Sequence, residues 1–434
     1  QNQPRDLLGD LSSIPFPYSF DRDMLSKIVY YEASRGCPFR CSYCLSSVTP
    51  GVRFFPVQRV KEDLDRLIEL GVKQVKFVDR TFNCNADFSR EIFSHLMERG
   101  GDTNFHFEIS ADLLDDGLIN LLESAPPGLF QFEVGVQTTN LEVLREIRRS
   151  TRQQKLFRNA RRISEGKNIH QHLDLIAGLP GEDMASFERS FNDVYSLDPD
   201  MLQLGFLKLL KGSGIRKRAK EYGYVFTVEP PYEVLSNNWM DYGDIRRLKL
   251  MEEVFEYYYN SHSFDNTLRV AVAHSTAGPF AFFKKFSEYW EEEGLNLKKH
   301  SRRDLYSILY WYCQKHTDIP TLMINELLKL DFLLSERSPV LPPPIGRTQM
   351  PSYKQRCFDF LKNPENVASC LPWYRGFSPK QIYKLVHFET FDGSIAGYVP
   401  GLQGKGKKGQ MTILFDYREK DRLREKARTI MVEI

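Results

Sequence analysis

The sequence predicts the α/β class: short βα units in series over residues 27–227, a helical domain over 228–338 and a small α+β C-terminal unit over 339–434. Three observations predict it. From Lys27 to Leu207, runs with a two-residue apolar period alternate with runs of helical period. Beyond about residue 228 that alternation stops and aromatic-rich helical patterns take over, and Leu341-Pro342-Pro343-Pro344 then supplies a stiff connector. On pattern alone the first part fits a partial (β/α)6 barrel of TIM type, with functional loops at the C-terminal ends of its strands, or a flavodoxin-like open sheet.

The elements follow in order. Residues 1–26 are polar, and Ile14-Pro15-Phe16-Pro17-Tyr18 reads as extended linker because proline removes donors and disfavours a preceding helix. Strands are expected at 27–33, 74–79, 104–110, 130–136, 170–177 and 202–207, separated by helices at 57–70, 86–99, 116–124, 140–165 and 184–197. Val60, Leu64, Leu67 and Ile68 fall on one face of the first of these helices. The helical domain is expected at 242–261, 278–295, 303–315 and 321–333. Trp239, Tyr257, Tyr258, Trp290 and Trp311 are its candidate core or substrate-facing rings. Strands at 383–391 and 411–417 and a charged helix over 418–427 close the chain.

Composition narrows the function classes. With 41% hydrophobic and 27% charged residues the chain can bury a sizeable core, and a net charge of +2 gives no global reason to bind nucleic acid or an anionic membrane. No apolar run is long enough to cross a bilayer, and the N-terminus lacks a signal pattern. Seven cysteines without a secretory segment indicate thiols kept in a reducing cytoplasm and an anaerobic setting. The arginine-rich stretch 145–162 reads as a solvated face.

Cys37, Cys41 and Cys44 lie at CxxxCxxC spacing just after the first strand. Structural zinc usually takes four ligands in two separated pairs, and no second pair lies nearby, although a distant fourth ligand stays open. Three thiolates on a four-iron cluster hold three irons and leave the fourth for an exogenous ligand. Cys84, near the end of the second strand, is a candidate hydrogen-atom donor, auxiliary ligand or bystander, while Cys313, Cys357 and Cys370 are too scattered for a second cluster.

The stretch Ser34 to Ser47 resembles the cluster loop of the radical S-adenosylmethionine (SAM) superfamily. The resemblance favours the partial barrel. It implies a 4Fe-4S cluster on Cys37, Cys41 and Cys44, SAM on the unique iron, and reductive cleavage to a 5′-deoxyadenosyl radical that modifies an unactivated carbon. Tyr43 matches the position packed near adenine. Further residues resemble the oxygen-independent coproporphyrinogen dehydrogenases: Gln137 in Gly135-Val136-Gln137-Thr138, Arg149 twelve residues on, and Asp174 in Asp174-Leu175-Ile176-Ala177-Gly178-Leu179-Pro180-Gly181. By that resemblance Gln137 and Asp174 would bond the ribose, Glu108 the SAM amino group and Arg149 its carboxylate. Gly178, Leu179 and Gly181 would lie against adenine. Plain structural roles stay open for each, such as a cap for Asp174 or a strand-to-helix turn for Gly178-Leu179-Pro180-Gly181.

Where the superfamily usually has a Gly-Gly stretch, this chain reads Phe77-Val78-Asp79-Arg80-Thr81-Phe82. That pattern, with the Ile14–Tyr18 segment, is similar to the cobalamin-associated subfamily, and makes Asp79 a second candidate for the SAM amino group. The sequence has no Asp-x-His-x-x-Gly cobalamin signature. Cobalamin, and methyl transfer with it, would therefore come through an N-terminal domain absent from this chain. Radical chemistry without cobalamin, or a non-catalytic binding module on the same fold, are the alternatives. The expected partners are a small-molecule, peptide or nucleotide substrate and an electron donor such as flavodoxin or ferredoxin, with no membrane.

Overall fold

The computed structural model describes residues 7–18, 25–49, 51–347, 351–399, 409–421, 423–424 and 426–434, and it divides into two compact units, Gln1–Lys249 and Leu250–Ile434.

The first unit is built from β1 (Ile28–Tyr31), β2 (Ser34–Gly36), β3 (Val52–Phe54), α1 (Val57–Leu70), β4 (Gln74–Phe77), α2 (Ala86–Arg99), β5 (Asn104–Ile109), α3 (Asp116–Glu123) and β6 (Phe130–Gln137). It continues through α4 (Leu141–Glu146), α5 (Gln153–Gly166), β7 (His170–Ala177), α6 (Met184–Tyr195), β8 (Met201–Phe206), α7 (Gly214–Lys217), β9 (Val225–Phe226) and β10 (Val234–Ser236). Six strands form one sheet in the order β1-β4-β5-β6-β7-β8, every pair parallel. This is the sequential βα order of a partial TIM-like barrel, as the sequence predicts. The helices expected across 140–165 are α4 and α5, with Arg148 in the left-handed region between them (φ 55°).

The two faces of this sheet differ. On one, Phe77, Phe105, Phe107, Phe130 and Phe132 are fully buried, and Phe107 stacks on Phe77 with ring centroids 4.2 Å apart and meets Phe93 of α2 edge-on at 5.1 Å. On the other, the register aligns Lys76 with His106, Glu108 with Glu133 and His172, and Gly135 with Asp174. A parallel strand covered by helices on both sides normally reads as continuous hydrophobic residues, so polar alternation marks a face turned to a cavity.

The segment before β1 is anchored. Leu11 is buried, and the Arg59 guanidinium donates to the carbonyls of Ser12 (2.7 Å) and Ile14 (2.5 Å). Tyr18 Oη receives the Tyr30 amide at 3.0 Å and donates to the Tyr30 carbonyl at 2.6 Å, covering the outer edge of β1.

Helix α8 (Tyr242–Phe255) runs across the division between the units. The second unit then contains α9 (Asp265–Ala273), α10 (Gly278–Glu292), α11 (Arg302–His316), α12 (Thr321–Ser335), α13 (Tyr353–Lys362), α14 (Pro364–Cys370) and α15 (Pro379–Tyr383). An antiparallel sheet of β11 (Val386–Asp392), β12 (Gln410–Lys420) and β13 (Ala427–Val432) follows. Trp290 and Tyr258 are core, whereas Trp311 is 55% exposed. A buried pair joins helix to sheet: Lys329 Nζ lies 2.8 Å from Glu326 Oε1 and donates to the Thr390 carbonyl at 2.8 Å, while Glu326 accepts the Asp392 amide.

The charged helix expected over 418–427 is not formed. Arg418 to Lys420 extend β12 and Ala427 opens β13, with Lys420 paired to Ala427. Strand pairing overrides local propensity there, helped by buried Asp416, which accepts from Tyr374 Oη (2.7 Å) and the Arg418 amide (3.0 Å).

Candidate functional site

The cysteine loop hangs from the short antiparallel pair β2–β3. Gly36 closes that pair at φ +114°, and a Cβ there would sit 2.2 Å from the Gly51 carbonyl oxygen, so only glycine fits. The loop is pinned by backbone bonds from Ser42 to the Ile147 carbonyl and from Ile215 to the Ser42 carbonyl, both 2.8 Å. Asp79 holds its base, accepting from the Ala33 amide (2.9 Å) and Ser34 Oγ (2.5 Å).

Cys37, Cys41, Tyr43, Cys44, Glu108, Gln137, Arg149 and Asp174 line one cavity of about 170 Å³ at the C-terminal ends of the strands. An adjoining cavity of about 310 Å³ shares Tyr43, Gln137 and Asp174 and extends along β8 past Gln203 and Phe206 to Lys208. Arg149 is central to the first. Its Nη1 lies 3.2 Å from Tyr43 Oη and 3.7 Å from Cys41 Sγ, and its Nη2 donates to the Gly135 carbonyl. Burial pushes the Cys41 thiol up, and the Arg149 guanidinium opposes that.

Gln137 reaches the cavity through a distortion of β6. Register with β7 slips between Gly135 and Gln137, and Gln137 takes φ +73°, a backbone state that a non-glycine residue adopts at a cost. A Cβ on Gly135 would meet Gln137 Nε2 at 2.1 Å, so the glycine makes room for this side chain. Gln137 Oε1 is buried without a hydrogen-bond partner among the described residues.

Other predicted residues lie elsewhere. Asp79 is 1% exposed behind the loop, where burial raises its pKa to about 7 against the Ser34 hydrogen bond. Leu179 is core, packed with Val143 and Ile147. Gly178 (φ +86°) presents its carbonyl to Tyr224 Oη (2.9 Å) and Asn237 Nδ2 (3.0 Å). Glu182 ties the turn that begins at Gly178 to the end of β6, accepting from Thr138 Oγ1 at 2.5 Å. Cys84 is partly buried outside the cavity lining, its thiol pushed up to about 11 by burial and by Cys37.

Sequence reasoning missed Lys76, His106, Glu133 and His172, which with Glu108 and Asp174 make a charged floor to the cavity. Glu133 lies 3.0 Å from His106 Nε2 and 3.3 Å from Lys76 Nζ, and the hydrogen bond from His106 draws its carboxyl down to about 2. His172 Nε2 is 3.0 Å from Asp174 Oδ1. Glu108 lies 3.8 Å from Arg80, and burial with the nearby Glu133 raises it to about 7. The signal was legible: the strands Gln74–Phe77, Asn104–Ile109 and His170–Ala177 alternate polar and apolar residues inside a parallel sheet.

The donor set fits an iron-sulfur cluster with SAM. Three thiols share one cavity, and all seven cysteines are free. Three thiolates suit a four-iron cluster, which takes one iron on each and leaves the fourth for a ligand. The unpartnered Gln137 Oε1 supplies an acceptor for a ligand hydroxyl.

Residues 31–194 match the family described as Radical SAM superfamily, and residues 220–415 match the family described as Protein of unknown function (DUF4080). Among curated proteins the chain is similar to the uncharacterized methyltransferase PH0819 of Pyrococcus horikoshii, 25% identical over 69% of this chain and 63% of that protein. It is also similar to the cobalamin-dependent radical SAM methyltransferase TokK of Streptomyces tokunonensis, 25% identical over 36% of this chain and 24% of that one. Ribosomal protein uS12 methylthiotransferase RimO of Chlamydia pneumoniae is 23% identical over 37% and 36%. The chain thus spans less than two thirds of the length of these relatives. Among solved structures, the radical SAM methyltransferase TsrM of Kitasatospora setae gives a TM-score of 0.40 at 18% identity over 47% of this chain and 38% of that one. Coproporphyrinogen III oxidase HemN of Escherichia coli gives 0.38 at 18% over 54% and 55%. No helix among the described residues is long and apolar enough to cross a membrane. Residues 31–194 are thus similar to the radical SAM superfamily, and the chain's resemblance is to the cobalamin-associated branch.

Proposed function

We propose that this chain is a radical SAM enzyme that modifies an unactivated carbon, with methyl transfer as the reaction class. The observation that carries the reading is the single cavity uniting the three thiols with Arg149, Gln137 and Asp174. When bound, the cluster would supply the electron that cleaves SAM to a 5′-deoxyadenosyl radical. Cys37, Cys41 and Cys44 would hold three of its irons. Arg149 presents a guanidinium suited to a carboxylate, Gln137 and Asp174 accept from hydroxyls, and Glu108 accepts from an ammonium group. Tyr43, held by Arg149, offers a ring face to adenine.

Cobalamin as methyl carrier is supported by the name of the relative TokK and by the Ile14–Tyr18 segment. It would be bound by a domain preceding residue 1. A flavodoxin or ferredoxin would deliver the electron in an anaerobic cytoplasm, a setting that the free cysteines favour. The substrate, whether small molecule, peptide or nucleotide, would enter past Gln203 and Lys208. The second unit would set specificity.

The test compares the parent protein with Cys41→Ala after anaerobic reconstitution with iron and sulfide. The parent should bind a cluster and cleave SAM under reduction, and the variant should do neither. A Cys41→Ala variant that keeps its cellular role would establish the binding-module reading.

A further inference from the structure

Gln137 occupies a backbone state that its neighbours must hold. Its φ is +73°, at the point where the register of β6 with β7 slips, and its buried Oε1 has no hydrogen-bond partner among the described residues. A non-glycine residue stays in such a state only where the surroundings over-determine it. The three residues that follow are bonded on every side. Thr138 Oγ1 donates to Glu182 Oε1 (2.5 Å) and accepts the Asn140 amide (3.1 Å). Ser190 Oγ of α6 accepts the Thr139 amide (3.0 Å) and donates to the same Glu182 oxygen (3.2 Å). Thr139 Oγ1 donates to Asp193 Oδ2 (2.7 Å), and Gln153 Nε2 of α5 donates to the Thr139 carbonyl (2.8 Å).

The donor count of this network closes. Thr138 and Ser190 have one O–H each, both spent on Glu182 Oε1, and their lone pairs take the backbone amides of Asn140 and Thr139. Thr138 is 1% exposed and Glu182 and Ser190 are 0% exposed, so water does not compete for these bonds and a lost hydroxyl leaves a buried partner unsatisfied. Starting α4 does not require them. Asn140 caps that helix through its own Oδ1, which accepts the Glu142 and Val143 amides. What the Thr138–Glu182–Ser190 bonds fix is the chain immediately after Gln137.

We propose that Thr138, Ser190 and Glu182 are positioning residues for SAM: they clamp the strained backbone of Gln137 so that its side chain stays in the cavity, where its amide oxygen meets a ribose hydroxyl. None of the three lines that cavity, so each acts through Gln137 and not by touching the ligand. The inference rests on the proposed function, because it takes Gln137 as a SAM contact.

Equilibrium dialysis of SAM against the anaerobically reconstituted full chain tests it through a double-mutant cycle. Thr138→Val keeps the side-chain shape and removes the hydroxyl, and should weaken SAM binding about threefold or more while iron content matches the parent. Placed on Gln137→Ala, the same change should cost less than about twofold further, because the side chain through which the clamp acts is already gone. A clamp that served only the fold would weaken both backgrounds equally. Ser190→Ala takes the place of Thr138→Val in the cycle if that variant does not fold. The proposal is overturned if the clamp variant binds SAM like the parent, or if its loss is the same with and without the Gln137 side chain. A parent that loads iron yet binds no SAM overturns the proposed function, and this inference falls with it.

Discussion

Replacing Gly36 with alanine perturbs the cysteine loop at its root. The new methyl would lie 2.2 Å from the Gly51 carbonyl oxygen, a backbone atom, at a residue whose φ of +114° side chains rarely adopt. Holding a non-glycine residue in such a region costs about 1–3 kcal/mol before any clash. Relieving the overlap requires the pairing of Gly36 with Val52 to open, with the loss of hydrogen bonds worth about 1 kcal/mol each. A local cost of about 3 kcal/mol corresponds to roughly a hundredfold fall in the population of the native loop. The six-stranded sheet does not include β2 or β3, so the fold should survive. Iron content after anaerobic reconstitution, read beside Tm by circular dichroism, separates these effects: iron should fall severely while Tm changes little. A Gly36→Ala protein that loads iron and cleaves SAM like the parent would refute the reasoning.

Further outcomes follow from the same geometry. Gln137→Ala removes the buried unpartnered acceptor, so SAM affinity by equilibrium dialysis should drop about tenfold with iron content unchanged. Phe107→Ala empties a fully buried position in contact with Phe77, Phe82 and Phe93, and should cost about 3–5 kcal/mol in denaturant unfolding. Glu108 sets a pH dependence: its carboxyl rises from 4.5 unfolded to about 7 folded, so its ionisation destabilises the apoprotein, with the penalty absent below the unfolded value and growing until about pH 7. The full shift is worth about 3 kcal/mol, which its 28% side-chain exposure reduces to about 1–2 kcal/mol. Glu108→Gln should thus be the more stable protein at pH 8 and equal to the parent near pH 4.5.

The parallel sheet was legible because each βα unit carries its own period, and Phe105, Phe107, Phe130 and Phe132 mark the buried face without knowledge of any partner strand. Cys37, Cys41 and Cys44 were legible because they are adjacent in the chain. What bridges distant segments was harder. Asp79 lies in a suggestive motif, yet its carboxylate turns back to Ala33 and Ser34, a contact that only loop closure creates. The pair His106 and Glu133 joins neighbouring strands through register, which no single strand specifies. The terminal segment misled for the opposite reason: the sequence from Arg418 is rich in helix formers, but Arg418 to Lys420 belong to β12, which pairs with Ala427–Val432.

The central claim is that Cys37, Cys41 and Cys44 serve a redox cluster that cleaves SAM beside Arg149 and Gln137. Anaerobic reconstitution, reduction with dithionite, addition of SAM and quantification of 5′-deoxyadenosine by mass spectrometry test it most directly. The account predicts about four irons per chain and 5′-deoxyadenosine that accumulates with the parent protein and vanishes on Cys41→Ala substitution. A reconstituted parent that binds neither cluster nor SAM and releases no 5′-deoxyadenosine would contradict it.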